Sequence, residues 1–209
     1  MNETIVATFV TFVVVVDPIS TAPLFAALTA GASASERRRI ALRGVAIATG
    51  VLIGFALGGE WLLGTLGIGL PAFRIAGGIL LLLLAIDMVM ARQSGLRATT
   101  PGEEAESSQR ADVSVFPLAI PLIAGPGALT MVVLLMGQAA GDLEAQAVIN
   151  AVLVAVLVVT LACLMLVTQV MRLLGVTGIN VVTRVFGIIT AALAVQFIVD
   201  GLLAVWPAA

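Results

Sequence analysis

The chain has 209 residues, of which 61% are hydrophobic and 11% are charged, and its net charge is −2. A soluble domain carries about 25% charged residues, and a chain of this length cannot bury so much apolar surface in a soluble core. The mean hydropathy of +1.19 therefore excludes an ordinary soluble protein and indicates a protein embedded in the lipid bilayer. We expect no nucleic-acid partner. Because histidine is absent and Cys163 stands alone in an apolar run, we also expect no disulfide, no metal site and no cofactor.

Six apolar segments are long enough to cross a bilayer, which takes roughly 20 helical residues. The sequence therefore predicts an all-α, polytopic membrane protein with six transmembrane segments. The predicted spans are 4–28, 43–63, 70–91, 114–138, 146–170 and 179–203.

Arginines cluster in alternate loops, which predicts that these loops face the cytoplasm and that both termini lie outside it. The loop after the third span, 92–113, is polar and acidic, and it divides the chain into a first half, 1–91, and a second half, 114–209. The loop arginines are Arg37, Arg38, Arg39 and Arg43, then Arg92, Arg97 and Arg110, and finally Arg172.

Each half has three spans, so a repeated half must be inverted in the membrane, as in many secondary transporters. Breaks rich in proline or glycine interrupt span one at 17–23 and span four at 124–130. Pro18 precedes Arg74 by 56 residues, and Pro126 precedes Arg184 by 58 residues, with a glycine three positions after each arginine. We interpret the chain as two inverted three-span repeats with broken first and fourth helices, although membrane helices are repetitive in any case.

The breaks predict a binding site. Proline removes a helical hydrogen bond, and in lipid such a break is tolerated where it is packed or lines a cavity. Asp17-Pro18 and Gly125-Pro126 each have the N-cap and N1 pattern that begins a new helix. About 20 Å of α-helix before each break would place both starts near mid-membrane, where two helix N-termini can bind an anionic group. The candidate substrate-binding residues are Asp17, Pro18, Ser20, Thr21, Gly125, Pro126, Gly127 and Thr130.

Asp17 is the only charged residue in either break. It could neutralise a substrate ammonium, carry a coupling proton, or cap its own helix, and these roles are compatible. Four other charges lie in or near spans. We hypothesise that they pair in two layers, one toward the outside and one toward the cytoplasm, whereas the alternative is that all four snorkel at the interface. These intramembrane charges are Arg74 with Asp200, and Asp87 with Arg184.

Three segments carry a family resemblance. Residues 17–23 resemble the Asp-Pro-x-(Gly/Ser)-(Asn/Thr)-x-Pro element of the MarC family, residues 73–80 with Asp87 resemble its third span, and residues 117–130 are similar to its second signature. The resemblance covers essentially the whole chain. It implies a six-span inner (plasma) membrane protein, since the family is found in bacterial and archaeal inner membranes.

Some MarC members are described as neutral amino acid transporters, so the resemblance implies a secondary transporter of small neutral amino acids that works by alternating access. Many members have Gly-Asn where this chain has Ser20-Thr21, so substrate identity does not carry over. One alternative is a carrier or flippase of an anionic metabolite or lipid. Another is a non-transporting accessory membrane protein, linked to antibiotic-resistance loci, that binds a partner through 92–113. We do not expect an enzyme, and the sequence leaves open whether the chain forms a homo-oligomer.

Overall fold

The computed structural model describes residues 2–90 and 113–206, and no strand occurs in these two ranges. The predicted loop 92–113 therefore lies outside the described residues, except for Val113. The first half contains α1 (Asn2–Val16), α2 (Pro18–Leu28), α3 (Ala34–Thr65) and α4 (Leu70–Met90). The second half contains an irregular segment that we term the wide coil (Ser114–Ile123), followed by α5 (Pro126–Gln138), α6 (Leu143–Met165) and α7 (Val167–Val205).

These elements supply the predicted spans. Among the described residues, five helical stretches are long and apolar enough to cross a membrane, and the wide coil with α5, bent by 57° between them, makes a sixth. The polytopic all-α prediction is thereby confirmed. Two boundaries differ from the prediction, because the helix of the second span begins at Ala34 rather than at residue 43 and the fifth span ends at Met165 rather than at residue 170. The five stretches, the first of which contains the break at Asp17, are Ile5–Leu28, Ala34–Thr65, Leu70–Met90, Leu143–Met165 and Thr177–Val205.

The first half of span four is not the α-helix that the sequence led us to expect. Phe116 and Ile120 have extended backbone angles, and each precedes a proline in a cis peptide bond. A residue before proline is pushed out of the α region, and the proline itself has no N–H to donate. The remaining hydrogen bonds span five residues, as in the bond from the Ala124 amide to the Ala119 carbonyl at 2.9 Å. The predicted 20 Å of α-helix before Gly125 is therefore wrong.

Helix directions follow from glycine contacts. The Gly77 backbone of α4 lies directly against the side chain of Thr130, and the Gly127 backbone of α5 lies against Leu81. Because the contact moves backward along α4 as it moves forward along α5, the two helices are antiparallel. α3 instead runs parallel with span four, because Gly44 of α3 lies against Leu118 and Gly59 lies against Val133, further along both segments.

α4 and α7 also pack antiparallel, through glycines of both helices. Gly78 of α4 lies against Ile198 and the Ala194 carbonyl, whereas Gly187 of α7 lies against Met88. A Cβ atom at either glycine would meet its neighbour at 2.7–2.9 Å. The two backbones therefore approach each other as closely as small residues permit in membrane helices.

The spans alternate in direction. Since short turns join α2 to α3 and α3 to α4, and α3 runs parallel with span four, α2 and α5 point in opposite directions. The turn 29–33, the start of α3 and the end of α6 lie on one side of the molecule, which we term the arginine-rich face because α3 begins there with Arg37, Arg38 and Arg39. The turns 66–69 and 139–142 lie on the opposite face.

Candidate functional site

The first break is centred on Asp17, which separates α1 from α2. Asp17 has left-handed backbone angles of φ 50° and ψ 68°, and its side chain is fully buried. Its carboxylate accepts a hydrogen bond from the Ser20 amide at 3.2 Å, and its carbonyl accepts one from the Thr21 hydroxyl at 2.9 Å. Asp17 therefore caps α2, which is one of the three roles the sequence allowed.

The second break has no comparable cap. Gly125 occupies the N-cap position and Pro126 the first position of α5, and no described side chain caps this end. Pro126 has no N–H, and the first bond back to the cap comes from the Leu129 amide, which donates to the Gly125 carbonyl at 3.0 Å. The amides of Gly127 and Ala128 consequently have no partner within α5. This end of α5 therefore carries the partial positive charge of a helix N-terminus.

The two breaks lie next to each other. The side chain of Val15, two residues before Asp17, contacts the Gly127 backbone. Beside them is a cavity of about 20 Å³ that is bounded on its α4 side by Leu80 and Leu84. That volume is close to the minimum for a single water molecule. Because Leu80 is the midpoint of α4, the cavity lies at the middle depth of that span.

The predicted residues divide between the cavity and the surrounding contacts. Gly125, Pro126 and Gly127 line the cavity. Ser20 instead shares a hydrogen bond of 2.6 Å with the Thr183 hydroxyl of α7, and buried Thr130 lies against α4. Sequence reasoning missed Val15, Leu80, Leu84 and Thr183, because nothing local distinguishes these residues from other apolar or hydroxyl residues of a span.

The outer layer of charge is positioned by the contact of α4 with α7. Gly201 lies against Ile75, so that Arg74 and Asp200 are at the same depth. Asp200 nevertheless accepts a hydrogen bond at 2.6 Å from the side-chain Nε2 of Gln196 in its own helix. The Arg74 Nε is buried without a hydrogen-bond partner among the described residues. Arg74 and Asp200 thus lie at a common depth, and the ion pair between these residues stays a prediction.

The inner layer lies nearer the arginine-rich face. Gly187 packs against Met88 and Val89, which places Asp87 and the turn that carries Arg184 at similar depths. Asp87 is half-buried and Arg184 is exposed. The pairing of these two residues also stays a prediction. Among the described residues, no group of three or more histidine, cysteine, aspartate or glutamate side chains could hold a metal ion.

A chain of this architecture, with apolar helices outside and two helix breaks inside, is a polytopic integral membrane protein. The family model described as "MarC family integral membrane protein" matches residues 2–206, so the chain belongs to the MarC family. The resemblance seen in the broken segments is thereby confirmed.

Three relatives illustrate how far the similarity extends. The chain is 39% identical to the UPF0056 membrane protein MJ1677 of Methanocaldococcus jannaschii over 189 residues, which is 90% of each chain. It is 34% identical to the UPF0056 membrane protein YvbG of Bacillus subtilis, over 99% of this chain and 98% of that one. It is 30% identical to the UPF0056 membrane protein YhcE of Escherichia coli, over 95% and 92%. No solved structure matches the chain.

Proposed function

We propose that the protein is a secondary transporter of small neutral amino acids that works by alternating access. The observation that carries the proposal is the uncapped start of α5, which lies beside the capped start of α2 at the centre of the molecule. Broken helices that point their N-termini at one central site are typical of secondary transporters. The opposite directions of α2 and α5 also support the inverted-repeat prediction.

The two breaks offer different chemistry to a zwitterion. The amides of Gly127 and Ala128 can donate to a substrate carboxylate, and the bare Gly125 and Gly127 backbone lets the carboxylate approach closely. The substrate ammonium would face the carboxylate of Asp17, which is the only charged residue in either break. An amino acid, which carries both charges, suits this site better than a simple anion.

The cavity of about 20 Å³ is too small for an amino acid, so we assign this conformation to a closed state of the transport cycle. Substrate entry then requires Leu80 and Leu84 of α4 to withdraw from the breaks. Movement of one group of helices against another around a fixed central site is how alternating access operates in folds of this kind.

Reconstituted transport tests the proposal. Wild-type protein in liposomes should take up labelled alanine or glycine, and Asp17→Asn should reduce that uptake at least tenfold while keeping α2 capped, because asparagine also caps helices. The matched control is Asp142→Asn, since Asp142 caps α6 from an exposed turn by accepting from the Ala145 amide at 3.0 Å. Asp142→Asn should transport normally.

The same assay decides between the alternatives. Uptake of a labelled organic phosphate in place of alanine would favour the anion carrier, for which the unpartnered Nε of Arg74 is the supporting observation. Alanine uptake that is unchanged in Asp17→Asn would exclude a required charge at Asp17, and a rate indifferent to an imposed pH gradient would exclude proton coupling. If the wild type takes up neither compound, the transporter proposal is wrong.

A further inference from the structure

A second cavity, of about 430 Å³, lies on the arginine-rich face, away from the helix breaks. It is bounded on one side by the first turns of α3 and on the other by the junction between α6 and α7. Arg37 and Arg38 line the first wall, Thr168 and Gln169 the second, and Leu164 and Met165 the apolar part between them. The volume is within the range of about 300–1,000 Å³ that small-molecule sites occupy.

Arg37 has donors to spare for a ligand. Its Nε is buried without a hydrogen-bond partner among the described residues, and its Nη2 makes one long bond of 3.5 Å to the Thr29 carbonyl. A buried, unpaired donor is costly, and a bound acceptor would relieve that cost. The nearby carboxylate of Glu36 does not serve as this acceptor, because it is held by the Ser33 hydroxyl at 2.7 Å and the Ser33 amide at 2.9 Å.

The cavity lies at the end of the fifth candidate span, where α6 meets α7. The adjoining apolar side chains point outward, since Leu166 is 50% exposed and Leu173 is 86% exposed. A soluble anion would contact only the arginines. A ligand that also covers these apolar side chains must itself be amphipathic. Basic pockets between membrane helices are suited to the headgroups of anionic lipids.

We propose that this cavity binds an anionic phospholipid. The phosphate accepts hydrogen bonds from the guanidinium groups of Arg37 and Arg38, whose planar forks match phosphate oxygens. Thr168 and Gln169 face the polar remainder of the headgroup, and the acyl chains lie over Met165 and the neighbouring leucines. This site is separate from the transport site and does not depend on the proposed function.

Native mass spectrometry of the purified protein in detergent measures the binding directly. The wild type should retain phosphatidylglycerol in preference to phosphatidylcholine with the same acyl chains. The Arg37→Gln/Arg38→Gln variant should bind phosphatidylglycerol roughly tenfold more weakly or worse, since hydrogen bonds to charged groups are lost. Arg39→Gln is the matched control, because Arg39 is exposed on the same turn of α3 and does not line the cavity.

The binding results distinguish a lipid site from the alternatives. Equal retention of both lipids by the wild type, or an equal loss in Arg39→Gln, would overturn the proposal in favour of a general charge effect. Inorganic phosphate bound as tightly as phosphatidylglycerol would overturn it in favour of a soluble anion. If the double arginine variant does not fold, Thr168→Val/Gln169→Ala in the opposite wall decides instead. It should weaken phosphatidylglycerol binding severalfold, and unchanged binding would refute the site.

Discussion

The contact between Gly77 and Thr130 joins α4 to the helix that begins at the second break. A Cβ atom at position 77 would overlap the Thr130 methyl group, and Thr130 is only 4% exposed, so it has little room to move. We predict that Gly77→Ala lowers the free energy of unfolding by about 1–3 kcal/mol, the usual range for overpacking. Denaturant titration in detergent micelles measures this change.

The overlap can be relieved from the other side. Thr130→Ser removes the methyl group and keeps the hydroxyl, so Gly77→Ala/Thr130→Ser should recover most of the lost stability, a coupling that a double-mutant cycle detects. Gly50→Ala is the matched control, because no described atom outside its own helix lies within 4 Å of a Cβ at that position of α3. Purely additive effects in the cycle would show that these residues do not meet as the structure has them.

At the scale of single residues, the sequence predicted the features that depend only on neighbouring residues in the chain. Asp17 and Pro18 form a capped helix start because aspartate and proline have these preferences wherever a helix begins. The partners of Ser20 and Thr130 could not be predicted. Ser20 bonds to Thr183, 163 residues away, and no rule of local sequence connects the two.

At the scale of the element, Gly175 determines the direction of the chain near the start of α7. Its backbone angles of φ 62° and ψ 178° lie in a region that is essentially restricted to glycine, and the chain turns there before the straight part of the helix. We predict that Gly175→Ala destabilises the protein by about 1–3 kcal/mol. The midpoint of thermal unfolding in detergent should fall accordingly. Gly54→Ala, in an open part of α3, should leave it nearly unchanged, and equal midpoints for the two variants would contradict the assigned angles.

Elements were predictable where length and hydropathy decide them. Each predicted span overlaps an observed helical segment, because an apolar run long enough to cross lipid must form its own hydrogen bonds. The wide coil shows where this reasoning ends. Pro117 and Pro121 stand in a fully apolar run, so hydropathy marks a span, while the backbone of Phe116 and Ile120 is decided by the prolines that follow.

At the scale of the whole molecule, the alternation of the spans predicts which turns each side of the membrane can reach. In a Cys163→Ala background, Leu66→Cys and Ala140→Cys each place a single cysteine on the face opposite the arginines. Ser35→Cys places a single cysteine on the arginine-rich face. A membrane-impermeant maleimide should label residues 66 and 140 in intact cells and residue 35 only after permeabilisation, because arginine-rich loops stay in the cytoplasm. The reverse pattern would place both termini in the cytoplasm.

The arrangement of the spans was the part that sequence could not supply. The odd number of spans in each half leads to opposite directions for α2 and α5, but it does not say which helices touch. The α4 wall of the cavity is formed by Leu80 and Leu84, which are two leucines among many in α4. Such contacts arise from the whole packing, so no short motif encodes them.

The glycine contacts between α4 and α7 bear on how such a molecule could open. Where backbone rests on backbone, as at Gly78 and Gly187, there are few flexible side chains to take up a sliding motion. These two helices are therefore suited to travel as one rigid arm. Leu80 and Leu84, which bound the cavity, are on that arm, whereas the uncapped start of α5 is not, so a hinge movement of the pair would change the exposure of the α5 amides.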